Sequence, residues 1–172
     1  MTPRLRKFVF TAHVTFSVGW LGAVVAYLAL AIAGLASQDA GIVRSAYLSM
    51  DLIGWNVIVP LSLVSLLTGL VQALGTQWGL FRYYWVLAKL LLTLVGTVIL
   101  LVHMRTVSRM AGIMGEATFS NADLGMLQKQ LVVHPAGGLL ILLVVTVLAV
   151  YKPWGMTRYG RRKQQNRVSS HA

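Results

Sequence analysis

The segment YYWVLAKLLLTLVGTVILLVHM, Tyr83 to Met104, holds a single charged side chain, Lys89. At 1.5 Å per residue a helix of that length reaches about 33 Å, enough to cross a hydrocarbon layer of about 30 Å. A strand would leave its backbone groups unpaired in lipid, so the segment reads as a membrane-spanning helix. Three further apolar runs share its character: about Phe8 to Ala36, about Leu52 to Leu74 and about Val133 to Tyr151. The expected fold is therefore all-α: an integral membrane antiparallel four-helix bundle formed by residues 1–154, with a basic tail over 155–172.

Composition agrees. Hydrophobic residues make up 57% of the 172 positions and charged residues 11%, with a mean hydropathy of +0.73. Soluble domains carry about 25% charged residues, so a soluble or disordered chain is excluded. With no cysteine, disulfides, thiolate metal sites and cysteine nucleophiles are excluded too. The first run follows Arg4, Arg6 and Lys7 as a signal peptide would. It is nearly twice as long as a signal h-region of about 7–15 residues, so it reads as a retained span.

The net charge of +11 is a topology signal before it is a nucleic-acid footprint. With the N-terminus inside, the inner loops and ends hold Arg4, Arg6, Lys7, Arg82, Lys152, Arg158, Arg161, Arg162, Lys163 and Arg167. The outer side holds only Arg44, Arg105, Arg109 and Lys129. Both termini are thus expected in the cytoplasm. All four acids, Asp39, Asp51, Glu116 and Asp123, then fall outside. Trp78, Phe81, Tyr83, Tyr84 and Trp85 form an aromatic belt at the inner interface. Pro60 predicts a kink in the second span. Ser120-Asn121-Ala122-Asp123 resembles a capping box. It predicts either a short amphipathic helix on the outer surface or an extension of the fourth span within the loop 105–132. The tail from Gly155 lacks apolar periodicity, and is expected to be disordered and drawn to anionic lipid.

Ionisable groups inside a span are costly and are functional candidates by default. Helix arithmetic places His13 and Lys89 about 8–9 Å from the inner ends of their spans, and Asn56, His103 and His134 at an outer level roughly 20 Å away. One ion cannot bridge both levels. His13, Ser17, Trp20, Val24 and Tyr27 form one helical stripe. Lys89, Thr93, Gly96, Leu100 and His103 form a second, and His134, Gly138, Ile141 and Val145 a third. Such faces, rich in small and polar residues, suit helix contacts.

Two chemistries suit these groups. A pair of histidines from different helices at one depth can ligate haem b, and His103 with His134 is such a pair. Met50, Met104, Met110, Met114 and Met126 crowd the outer ends, and thioethers select Cu(I). His103, His134, Met104, Met110 and Met114 are therefore candidate copper ligands. Each has a plainer reading. The histidines can be interhelical or helix-end polar contacts, Lys89 can snorkel, and methionines can anchor a loop on the bilayer. No phosphate loop, intramembrane carboxylate pair or nucleophile triad is present in the sequence.

Thr11-Ala12-His13-Val14 leading into Val18-Gly19-Trp20-Leu21-Gly22 resembles the first helix of small four-helix bacterial membrane proteins. That superfamily includes the CopD copper-resistance domain and HemJ-type protoporphyrinogen oxidase. Trp85-Val86-Leu87-Ala88-Lys89-Leu90-Leu91-Leu92 is similar to their third helix, and Val150-Tyr151-Lys152-Pro153-Trp154-Gly155 to their exit from the membrane. The resemblance spans about Phe8 to Gly155. It implies a multi-pass protein of the bacterial plasma membrane, with His13 and Lys89 linked to haem b. The expected function is haem b or copper binding for electron transfer or metal handling. The alternative is a cofactor-free accessory subunit that meets a partner membrane subunit or its own copy. No nucleic-acid partner is expected.

Overall fold

The computed structural model describes residues 1–75, 80–115, 121–153 and 155–162, without the side chains of Gly115 and residues 121–124. Trp78, Glu116, Ser120 of the capping box, the Asp123 carboxylate, Trp154 and the tail from Lys163 lie outside that description. The described residues form five named α-helices: α1 Pro3–Ala36, α2 Ala40–Ile53, α3 Val59–Gly75, α4 Tyr84–Gly115 and α5 Asn121–Tyr151. A π-helical turn, Gly54–Ile58, joins α2 to α3, so that 40–75 is one rod. Four rods result, each long and apolar enough to cross a membrane. The protein is a multi-pass, all-α membrane protein.

Local chemistry sets the helix limits. Thr2 caps α1, its Oγ1 accepting from the Leu5 N–H at 3.4 Å, and Pro3 occupies the first turn, where no N–H is needed. Asp39 starts α2 by accepting from the N–H groups of Gly41 at 2.7 Å and Ile42 at 3.3 Å. Pro60 has no N–H to offer the preceding turn. The rod accommodates it in the π turn just before it, where the Val59 N–H donates five residues back to Gly54. The irregularity expected at Pro60 is thus a π turn. Asn56 lies on this turn, exposed, with Nδ2 donating to the Leu52 carbonyl at 2.8 Å. It faces away from the polar level expected of it.

The spans are longer than the sequence suggests. The 34 residues of α1 reach roughly 51 Å, well beyond the hydrocarbon thickness. The stretch expected as an outer loop, 105–132, is helical except for the undescribed residues 116–120, because α4 and α5 both continue into it. The fourth-span extension is therefore the correct alternative. Residues 40–51, also expected outside a span, form most of α2.

Rods adjacent in sequence pack side by side, and α1 also packs on α5, which closes an antiparallel square. The start of α1 and the end of α5 lie at one end of the bundle, called terminal below. The opposite end is called distal. The buried stripe of α1 is Trp20, Val24, Tyr27, Ala31 and Gly34, which continues the stripe read from sequence. Met50, Tyr47, Met104, Val107, Met110, Met114 and Leu131 complete the core against it. Only 17–28% of each apolar window is buried within the chain, so lipid must cover the rest.

The first part of the tail is docked rather than free. Thr157 Oγ1 donates to the Phe81 carbonyl at 2.6 Å, and its N–H donates to the Arg82 carbonyl at 3.0 Å. Met156 pairs with Tyr83, and residues 158–162 form a helical turn. The expected disorder thus does not extend to 155–162. Backbone pairing to the 81–83 turn overrides a composition that offers no apolar face.

Candidate functional site

The distal half contains the densest set of sequence-predicted groups. His103 of α4 and His134 of α5 lie at one level, as the depth arithmetic expects. Their rings stack, centroids 4.6 Å apart and planes 15° from parallel. His134 is exposed, and its Nδ1 lies 2.8 Å from the Gln130 carbonyl. A carbonyl only accepts, so Nδ1 carries the proton and Nε2 keeps a lone pair. A backbone acceptor on the second nitrogen is the usual way to orient a metal-ligating histidine. His103 is buried, and neither of its ring nitrogens has a hydrogen-bond partner. Leaving a buried polar group unpaired costs about 1–3 kcal/mol.

In this arrangement the two rings face each other rather than flank a ligand. Axial imidazoles lie edge-on to iron on opposite faces of the porphyrin, whereas these rings lie face to face with no gap for a macrocycle.

Four of the five distal methionines are in the core. Met50, Met104 and Met110 are fully buried and Met114 nearly so, while Met126 is 72% exposed. Met104 sits where α4 crosses the π turn. A methyl group on Gly54 would lie 2.6 Å from Met104 Sδ and 3.6 Å from Tyr27 Cε2, so thioether and phenol share that level. The Tyr27 hydroxyl is buried without a partner. Along α4, His103 and Met114 are about 16 Å apart. The predicted copper set therefore divides into a His103/Met104 level and a more distal Met110/Met114 level, with Met50 from α2 facing α4.

The terminal half carries a polar seam between α1 and α3. His13 Nδ1 lies 3.1 Å from the Ser65 carbonyl and 3.2 Å from Thr68 Oγ1. The carbonyl again fixes the proton on Nδ1 and leaves Nε2 as an acceptor. Ser17 Oγ meets Ser65 Oγ at 2.8 Å. Gly69 admits the imidazole: a Cβ there would lie 3.0 Å from His13 Cε1. Lys89, on α4, holds its ammonium 5.5 Å from the Trp85 ring centroid. The structure thus ties His13 to α3.

One polar chain escapes the sequence reading. Trp55 Nε1 donates to Ser108 Oγ at 3.0 Å, and Ser108 donates to Asp51 Oδ1 at 2.6 Å. Asp51 reads as a loop acid but sits within α2, where it ties that helix to α4. Its position four residues before Trp55 on one face was the available signal. Among the described residues, no group of three or more His, Cys, Asp or Glu could hold a metal ion. No protein family, curated protein or solved structure matches this chain. Its class, a four-span helical membrane protein, rests on its own sequence and fold.

Proposed function

We propose that this protein handles a soft monovalent metal ion, Cu(I), in the distal half of its bundle, from a cytoplasmic membrane in which both chain ends face the cytoplasm. His103 is the seat, with Met104 as its neighbouring thioether. Exposed His134 is the entry ligand, and Met110 and Met114 of α4 with Met50 of α2 offer further soft donors. The observation that carries this reading is His103: a buried imidazole with two unpartnered nitrogens beside a methionine-rich core. Neutral imidazole and thioether ligands suit Cu(I) and leave the ion its single charge.

The test is anaerobic competition of the detergent-purified protein against a chromophoric Cu(I) chelator. Wild type should withdraw Cu(I), and bound ion should raise the unfolding midpoint by mass action. His103→Ala should weaken binding about tenfold or more, a loss of at least about 1.4 kcal/mol. Met104→Leu, which keeps the volume, should weaken it less. His134→Ala should slow loading and leave the final occupancy. No competition by wild type, or unchanged binding by His103→Ala, overturns the proposal. A Soret band in the purified protein would return the weight to haem b.

A second reading, a cofactor-free accessory subunit, is favoured by the complete burial of Met50, Met104 and Met110. Methionine is a flexible gap-filler in irregular cores. Under that reading Met→Leu variants are silent in every metal measurement.

A further inference from the structure

We infer that the docked segment 155–161 and the terminal end of α4 form a binding site for one anionic glycerophospholipid of the adjacent leaflet. A groove of about 690 Å³ lies there, lined by Tyr84, Leu87, Ala88, Leu91, Met156 and Arg161, with Gly155 at its edge. That volume is within the usual range of small-ligand sites, about 300–1,000 Å³.

Its floor is one helical stripe. Tyr84, Leu87, Ala88 and Leu91 follow steps of three, one and three along α4, and Leu91 lies on the exposed, lipid-covered surface. Tyr84 belongs to the aromatic belt that marks the membrane interface. Leu87 to Leu91 therefore lie about 5–10 Å deeper, at the depth of the first acyl methylenes. Arg161 closes the groove at the interfacial end, at the depth of a phosphodiester. An arginine fork matches phosphate oxygens. The groove thus offers a cation where a lipid carries its anion and an aliphatic floor where it carries its chain.

Charge complementarity selects an anionic occupant. Arg158, Arg161 and Arg162 are all exposed on the docked turn. Among the described residues, the acidic side chains Asp39 and Asp51 belong to the distal half, at and within α2. Among the described residues, no acidic side chain lies in the terminal half to neutralise these arginines.

The site is built, because the segment is pinned. Besides the Thr157 bonds to the 81–82 backbone, the Gly160 N–H donates to Thr157 Oγ1 at 3.1 Å. A Cβ on Gly160 would lie 2.6 Å from the Arg82 carbonyl oxygen, so only glycine lets the turn close on that loop. Arg161 follows directly and inherits its position.

The experiment is native mass spectrometry of the full chain released from mixed vesicles of phosphatidylglycerol and phosphatidylcholine. Wild type should retain one phosphatidylglycerol in preference to phosphatidylcholine. An arginine at the interface contributes about fivefold in anionic-lipid affinity, so Arg161→Gln should lower the preference by about that factor. Gly160→Ala should lower it as much while leaving all arginines in place. Arg162→Gln, which changes the same net charge outside the groove, should keep it. Unfolding midpoints verify that each variant is folded. Equal losses in Arg161→Gln and Arg162→Gln would overturn the site in favour of general polybasic attraction. Displacement by millimolar inorganic phosphate would overturn the requirement for a lipid chain.

Discussion

The two halves of the bundle are held in different ways. The distal half has a close-packed core of Tyr47, Met50, Val107, Met110, Met114 and Leu131. The terminal half is joined by side-chain hydrogen bonds: His13 to Ser65 and Thr68, and Ser17 to Ser65. Surroundings explain the contrast. Beyond the hydrocarbon, the surplus helix length of α1, α2, α4 and α5 meets water, where apolar burial drives association. Exposed Arg44, Arg105, Arg109 and Lys129 face outward there. Within lipid that driving force vanishes, and close contact of small residues with hydrogen bonds takes its place. The same chain thus uses soluble-protein packing at one end and membrane-protein packing at the other.

The largest expected effect is Tyr47→Ala, which removes a fully buried ring from the distal core. It should cost about 3–5 kcal/mol in denaturant unfolding of the micellar protein. Next is the Asp51–Ser108 bond, a hydrogen bond to a charged acceptor. Asp51→Ala should cost about 1.5–3 kcal/mol, and a cycle with Ser108→Ala should recover most of it as coupling. In the terminal half Ser65→Ala should cost only about 0.6 kcal/mol, and no more than about 1.7. A Ser65→Ala penalty as large as that of Tyr47→Ala would abolish the distinction between the halves. The smallest effect is Met110→Leu, under about 1.5 kcal/mol because volume is kept. If that variant keeps its stability yet loses Cu(I), the distal core serves binding as well as packing.

Much of the architecture was legible. The four spans, the α1 stripe and the common level of His103 and His134 follow from helix rise and periodicity. The helical start at Ala40 was not, because Asp39, Arg44, Ser45 and Asp51 make 39–51 too polar for a span. That stretch is instead an amphipathic helix that buries Ala46, Tyr47 and Met50 against the core. The outer loop was overestimated for the same reason: α4 continues past Arg105 and Arg109 because Val107, Met110, Ala111 and Met114 recur on its buried face. Of the candidate site, its residues were visible but its arrangement was not. Nothing in the spacing distinguishes methionines that coat a bilayer from methionines that fill a core.

Local patterns suffice for one set of properties. Apolar run length determined the number of spans, and charge determined their sidedness as an expectation. Tertiary structure decided the rest, because the remaining properties depend on how each rod is rotated against its neighbours. That rotation stacks His103 on His134, buries three methionines completely, and sets Asp51 against Ser108. It also brings Gly160 against the Arg82 carbonyl, a contact between residues far apart in the chain that no local period encodes.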